Sequence, residues 1–318
     1  LTIVLVLASA GTAGAIKAWD RHMATVHVDT ANLDPALYPG ARALLEGAPV
    51  PALDPQPTPL AVAEDLPQTG PDGFMSDFAA TTPAVGVYGD PNGAKTIAVA
   101  GGSHAEMWIG ALDAIGKQNG FRVVTYLKMG CPLTAEATPT RLEGTPYPEC
   151  RTWVDAVMAD LLRTRPDAVF TNSTRPDPAG PADHVPEGYL GVFAELTEAG
   201  IPVVGIRDIP WPHGERGAID TPACLAAGGN AQSCGTERAS ALHPVDPADA
   251  VAAANPLFHA LDLTDGICTA DFCPAVVGNI IVYKDYHHLS ATYVRTLTRE
   301  LSRQLAAALP WAGPEVHN

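Results

Sequence analysis

The sequence predicts an α/β protein: a three-layer α/β/α domain on a parallel sheet, preceded by a Pro-rich N-terminal extension. Two observations carry this. From Lys95 onward, short apolar runs alternate with longer stretches whose apolar residues recur at helical spacing. Strands alternating with helices of about 10–15 residues imply right-handed βαβ units and parallel pairing. Glycines also fall where the helices should stop.

The elements follow in order. Residues 96–100 are an apolar run bounded by Gly101 and Gly102, which suits a buried strand. Residues 105–119 carry Trp108, Leu112 and Ile115 at helical spacing and stop at Gly120. Residues 121–127 read as the second strand, 153–162 as a helix and 167–172 as the third strand. A helix at 189–199 closes at Gly200, and 202–206 is the fourth strand. A short late strand is expected at 278–283 and a final helix at 291–309. Residues 210–264 read as a mostly irregular insertion at the domain edge.

The ends and the charge narrow the class. Residues 1–16 hold no charge and end at Lys17. A full membrane span needs about 20 apolar residues. The stretch therefore reads as the end of a transmembrane segment, with the core of a signal peptide or a buried helix as alternatives. Residues 17–92 are rich in Pro, Ala and Asp and read as an extension or linker with short helices at most. Residues 93–318 form the expected catalytic domain. With 35 acidic against 19 basic residues, the chain carries −16. Nucleic acid and anionic lipid are bound through Lys and Arg, so this charge argues against both.

Six cysteines allow complete pairing, and their order suggests the local loops Cys131–Cys150, Cys224–Cys234 and Cys268–Cys273. They show neither a CxxC spacing nor a zinc pattern with histidine, so no metal is expected there. Disulfides persist in oxidising compartments, which favours a domain outside the cytoplasmic membrane.

Two constellations could carry chemistry. In Val99-Ala100-Gly101-Gly102-Ser103-His104-Ala105, a serine follows a buried strand and two glycines and opens a helix. Ligands of open α/β sheets bind beyond the carboxyl ends of the strands, where Ser103 would be a well-placed nucleophile. The free N–H groups of the helix start suit a developing oxyanion. Taken alone, this motif favours Ser103 as a helix N-cap over a nucleophile. The pattern is neither GxSxG, nor a P-loop, nor GxGxxG. The second constellation is Lys284-Asp285-Tyr286-His287-His288-Leu289-Ser290. Asp285 can orient His288 in one short loop, and His288 can deprotonate a distant serine. The adjacent histidines leave a metal site conceivable, without an obvious third ligand.

Gly101-Gly102-Ser103-His104-Ala105 with Trp108 resembles the first block of SGNH hydrolases. More closely, it resembles the SGNH domain fused to the membrane-spanning part of actinobacterial acyltransferase-3 proteins. Met129 to Leu133, Arg207 to Pro210 and Cys273 to Asn279 look like that group, and Asp285-x-x-His288-Leu289-Ser290 resembles its closing block. The resemblance implies an SGNH-hydrolase-like fold and a triad of Ser103 as nucleophile, His288 as base and Asp285 as its orienter. It also implies an oxyanion hole, for which Ser103, Gly130 and Asn172 are the candidates. Asn172 reads equally well as a turn residue ahead of Pro176. The common Gly-Asp-Ser has Gly102 in place of its Asp here, and a clear Gly-x-Asn-Asp third block is missing.

Trp108 and Trp153 read as core residues. Trp211, in an irregular stretch, is a candidate for the cleft edge. Arg207 and Asp208 read as an ion pair supporting the site. The expected activity is an extracytoplasmic serine O-acyltransferase on a membrane-anchored protein. It would take a short acyl group from a membrane acyltransferase domain and pass it to a cell-envelope carbohydrate or glycolipid. No cofactor is implied. The alternatives are an SGNH carbohydrate esterase or deacetylase, secreted or membrane-anchored, and a non-catalytic glycan-binding module.

Overall fold

A computed structural model describes residues 30–177, 182–215 and 217–313. The apolar stretch 1–16 lies outside the described residues. Among those described, no helix is long and apolar enough to cross a membrane.

The central sheet contains β1 (Met75–Ser76), β2 (Val85–Gly89), β3 (Lys95–Gly101), β4 (Phe121–Lys128), β5 (Ala168–Asn172), β6 (Val203–Ile206) and β7 (Phe258–Leu261). Strands β4, β3, β5, β6 and β7 lie side by side in that order, all parallel. On the outer edge of β4, β1 adds in parallel and β2 antiparallel. The main helices are α1 (Ser103–Glu106), α2 (Ile109–Asn119), α3 (Pro148–Thr164), α4 (Glu187–Glu198) and α5 (Ala291–Ala308), with further short ones at Arg42–Leu45, Thr221–Ala226, Arg238–Ala241 and Asp249–Ala254. This is the three-layer α/β/α architecture expected of an SGNH-like domain.

The layers follow from the pleat of β3, whose side chains alternate between faces. Ile97 and Val99 pack with Leu112 and Ile115 of α2 and the stripe Leu297, Leu301 and Leu305 of α5. Ala98 and Ala100 face the other way, toward Trp153 and Val157 of α3 and Phe193 of α4. Each fully buried large aliphatic side chain contributes about 1.5–3 kcal/mol. Trp108 and Trp153 are both buried core residues.

Several elements differ from the sequence reading. The stretch 210–264 is not merely irregular, because β7 lies within it as a sheet edge. The segment Phe-His-Ala-Leu is too short to show a period, and it becomes a strand because β6 offers it an open edge. Strands β1 and β2 come from residues 17–92, which read as a linker with short helices at most. The helix expected at 105–119 starts at Ser103 and breaks at Met107–Trp108. The late strand at 278–283 is a separate hairpin, Val276–Val277 with Ile280–Ile281, outside the main sheet.

That hairpin holds the extension. It turns through Gly278 and Asn279, with φ of 53° and 62°, a left-handed region open to Gly and Asn. The Asn279 Nδ2 donates to the carbonyls of Leu37 and Pro51, at 2.9 and 2.8 Å. Gln56 bridges to the hairpin through Asn279 O and Ile281 N. Asp65 accepts the Thr292 N–H at the start of α5 at 2.7 Å. The Asn279→Ala protein is expected to lose about 2 kcal/mol of stability, from two side-chain hydrogen bonds and an unfavourable φ. Urea unfolding measures this, and an unchanged midpoint would contradict the anchoring role.

The cysteines pair as Cys131–Cys150, Cys224–Cys234 and Cys268–Cys273, and none is free. Cys131–Cys150 closes a loop of separation 19, worth about 3 kcal/mol in the chain-entropy picture. It ties the loop after β4 to the first turn of α3.

Candidate active site

The carboxyl ends of the parallel strands gather the candidate residues. β3 ends at Gly101, whose φ of +145° excludes most side chains, and α1 begins at Ser103. A β-carbon on Gly102 would come within 3.3 Å of the Cys131 carbonyl oxygen and 3.4 Å of its carbonyl carbon and nitrogen. The disulfide holds Cys131 against the Gly102–Ser103 turn, so a larger residue at 102 would crowd the Cys131 backbone. At the rear of α1, the buried Glu106 accepts the Thr69 hydroxyl at 2.5 Å, tying this turn to the extension. Burial raises the Glu106 pKa.

The loop before α5 supplies the partner groups. Ser290 caps α5 by accepting the Tyr293 N–H at 3.1 Å and donates to Ile281 O at 2.7 Å. Leu289 is buried beside it. The preceding residues are thereby fixed. Ser103 Oγ lies 2.7 Å from His288 Nε2, and His288 Nδ1 lies 2.7 Å from Asp285 Oδ2. The other carboxylate oxygen of Asp285 accepts the N–H groups of His287 and His288, each at 2.8 Å. Lys284 Nζ sits 3.0 Å from Asp285 Oδ2.

The electrostatics suit a neutral base beside a charged acid. Burial lowers the His288 pKa, opposed by its hydrogen bond to Asp285 and by the Asp285 charge. Burial acts to raise the Asp285 carboxyl, but the His288 bond, the His288 and Lys284 charges and the His287 N–H outweigh it. The carboxyl is held well below the usual carboxylate range. An ionised Asp285 fixes the His288 proton on Nδ1 and leaves Nε2 to accept the Ser103 hydroxyl proton.

Ser103, Gly130 and Asn172 border one cleft of about 80 Å³. Ser103 opens α1, so its N–H has no intrahelical carbonyl to reach. Gly130 stands at φ +61° in the loop after β4. Asn172, at the end of β5, is 7% exposed, and its Nδ2 is sealed from solvent without a hydrogen-bond partner. This donor and the Trp211 indole N–H, which is likewise unpartnered, belong to residues that line the cleft. The cleft shares Pro132, Arg175 and Tyr189 with an adjoining groove of about 990 Å³.

Other placements differ from expectation. Arg207 and Asp208 do not pair. Buried Arg207 forms a two-pronged ion pair with Asp183, at 2.8 and 2.9 Å, and a further contact to Asp262 at 2.9 Å. The two carboxylates occupy its guanidinium, so Asp208 turns instead to His104, 2.7 Å from Nδ1. Trp211 does border the cleft and stacks on His104 at 5.3 Å. Asp208 does support the site, but through His104 rather than Arg207. His104 and His287 carry no assigned role in the sequence reading, and their only signal there is adjacency, His104 to Ser103 and His287 to His288.

The nitrogens of His104, His287 and His288 lie within 4.8 Å of one another, as a metal's ligands could. However, His288 spends both nitrogens on Ser103 and Asp285, and His104 spends both on Asp208 and His287. Three-histidine coordination would break these bonds, so the set fits a hydrogen-bonded array better than a metal centre.

No curated protein matches the chain significantly. Among solved structures, the chain is similar to the periplasmic domain of a lipopolysaccharide acetyltransferase from Salmonella ser. Paratyphi A. The TM-score is 0.48 and the identity 12%, over 67% of this chain and 84% of that one. The sequence pattern of SGNH domains fused to AT3 domains matches residues 70–303, from ahead of β1 into α5. With well over half of its length matched, the chain belongs to that family of SGNH domains.

Proposed function

We propose that this domain is a serine O-acyltransferase working outside the cytoplasmic membrane. It takes a short acyl group from a membrane acyltransferase domain as a Ser103 ester and passes it to a hydroxyl of an envelope carbohydrate or glycolipid. The observation that carries this reading is the hydrogen-bonded line Ser103–His288–Asp285, with the unpartnered Asn172 amide in the same cleft. Membership of a family whose SGNH domains are fused to AT3 domains supports a membrane source for the acyl group. The cleft beside Ser103, about 80 Å³ and continuous with the larger groove, has room for a short one.

In this mechanism Ser103 Oγ attacks the donor carbonyl while His288 Nε2 takes its proton. The oxyanion is met by the Ser103 and Gly130 N–H groups and Asn172 Nδ2. The tetrahedral adduct collapses, the donor oxygen leaves with the proton, and acyl-Ser103 remains. An acceptor hydroxyl then attacks, giving its proton to His288, which returns it to Ser103 Oγ. Asp285 stabilises the transient imidazolium. Removing the Asn172 donor as Asn172→Ala is expected to lower kcat by about 10²-fold with little change in KM. An equal loss confined to KM would place Asn172 in ground-state binding instead.

Acyl-enzyme formation should rise with pH as the His288 imidazolium loses its proton. Burial lowers that pKa from its ordinary 6.5, with the Lys284 charge adding to the effect against Asp285. The midpoint is therefore expected below 6.5, so acylation persists into mildly acidic solution. A pre-steady-state burst measured against pH checks this, and a midpoint above 6.5 would contradict it. The mechanism as a whole is tested with a serine-directed fluorophosphonate. Stoichiometric labelling at Ser103 is expected, and an unlabelled folded protein would favour the non-catalytic alternative.

A further inference from the structure

Beside the Ser103 line runs a second chain of side chains that this mechanism leaves without a task. Asp208 is buried, with its own N–H bonded to Thr174 Oγ1 at 3.0 Å. Its Oδ1 accepts the Ile209 N–H at 2.8 Å and faces His104 Nδ1 at 2.7 Å. A carboxylate only accepts, so the His104 proton resides on Nδ1. In the neutral ring Nε2 then carries a lone pair, filled by His287 Nδ1–H at 2.9 Å. The proton of His287 is thus also on Nδ1, which leaves its Nε2 as an open acceptor. Burial pushes the His287 pKa down to about 2, so the ring stays neutral. Trp211 packs over both rings, at 5.3 Å from His104 and 4.9 Å from His287.

His287 borders the cleft, and its Nε2 has no hydrogen-bond partner among the described residues. Its ring centroid lies 3.8 Å from that of His288. Two imidazoles therefore stand side by side, one bonded to Ser103 and the other with its Nε2 unpartnered among the described residues. An acceptor whose hydroxyl meets His288 brings its neighbouring groups against the adjacent His287 ring.

We propose that His287, held in this tautomer by His104 and Asp208, selects the acyl acceptor: its Nε2 accepts a hydrogen bond from the hydroxyl adjacent to the attacking one. The site then favours vicinal diols of carbohydrates over isolated alcohols and water. This rests on the transferase reading. The attacking oxygen bonds to the acyl carbon and gives its proton to His288 Nε2. The Ser103 Oγ–acyl bond breaks, and Oγ takes that proton back. His287 exchanges no proton and fixes the acceptor's orientation. A site built to bond a hydroxyl rejects the analogue lacking it, because its own polar group is then left unpaired.

The test charges the whole protein with acetyl from p-nitrophenyl acetate. It then offers a methyl glycoside with a vicinal diol, in parallel with its deoxy counterpart lacking one hydroxyl. The ratio of the two transfer products is independent of how fast Ser103 is acylated. The unmodified protein should prefer the diol by about tenfold, one neutral hydrogen bond. His287→Phe should bring the ratio close to one. His104→Phe keeps a ring against Trp211 but no longer fixes the His287 proton, and it should reduce the ratio too. A purely structural role for either residue would leave the ratio unmoved in folded protein. In addition, ¹⁵N NMR of the unmodified protein should find His287 protonated on Nδ1. The inference is overturned by a ratio near one in the unmodified protein, a preference that survives both variants, or the opposite tautomer. Acetyl-Ser103 that reacts with water alone is a different failure, because it removes the transferase reading itself.

Discussion

Ser103→Ala is expected to abolish the acyl-enzyme. The hydroxyl lies 2.7 Å from His288 Nε2, and among the described residues no other hydroxyl bonds that nitrogen. With an aryl ester, the burst should vanish and kcat should fall by about 10⁴-fold or more. The remaining turnover would come from His288 acting on water beside the Asn172 amide. Stability should barely change, because Ser103 is half-buried and its side chain does not cap α1. Mass spectrometry of the acid-quenched protein reads the result. A protein that keeps its acyl adduct and its burst without the Ser103 hydroxyl sinks the mechanism.

Asp285→Asn carries the second large effect, and its sign follows from the hydrogen bonds. Asp285 Oδ1 accepts two peptide N–H groups, from His287 and His288, while Oδ2 faces His288 Nδ1. An asparagine must leave its carbonyl oxygen to the two peptide donors, which turns its NH₂ toward His288. The imidazole then accepts at Nδ1 and carries its proton on Nε2, facing Ser103 with a donor where a base is needed. Acylation should fall by about 10³–10⁴-fold with the loop geometry preserved. Asp285→Ala should fall similarly but also loosen the loop, since two N–H groups lose their acceptor. Comparing the burst rates and melting temperatures of the two variants separates tautomer from loop. Near-normal acylation in Asp285→Asn would remove Asp285 from the base's support.

Much of this was legible along the chain because it rests on local rules. The run 96–100 between a lysine and two glycines has few other uses than a buried strand, and it is β3. Strands β4, β5 and β6 and the helices α3, α4 and α5 likewise follow from apolar spacing and glycine stops. The cysteine pairs were readable because short loops link neighbours in sequence. What failed locally depends on partners. β7 is a four-residue strand only because β6 leaves an edge beside it, and β1 and β2 exist only on the outer edge of β4.

The site divides along the same line. Sequence by itself determined the α/β class and the residues Ser103, Asp285 and His288 as candidates, since each sits in a short motif whose chemistry is local, and it suggested the disulfide pairing that the structure shows. Only the tertiary structure decided who meets whom. His104 and His287 are 183 positions apart, and Asp208 is 104 from His104. Arg207 and Asp208 are neighbours in sequence yet turn to different partners, because Asp183 and Asp262 already occupy the guanidinium. Chain order gives each side chain its chemistry, whereas burial and a finite number of hydrogen-bonding groups decide which partner it takes.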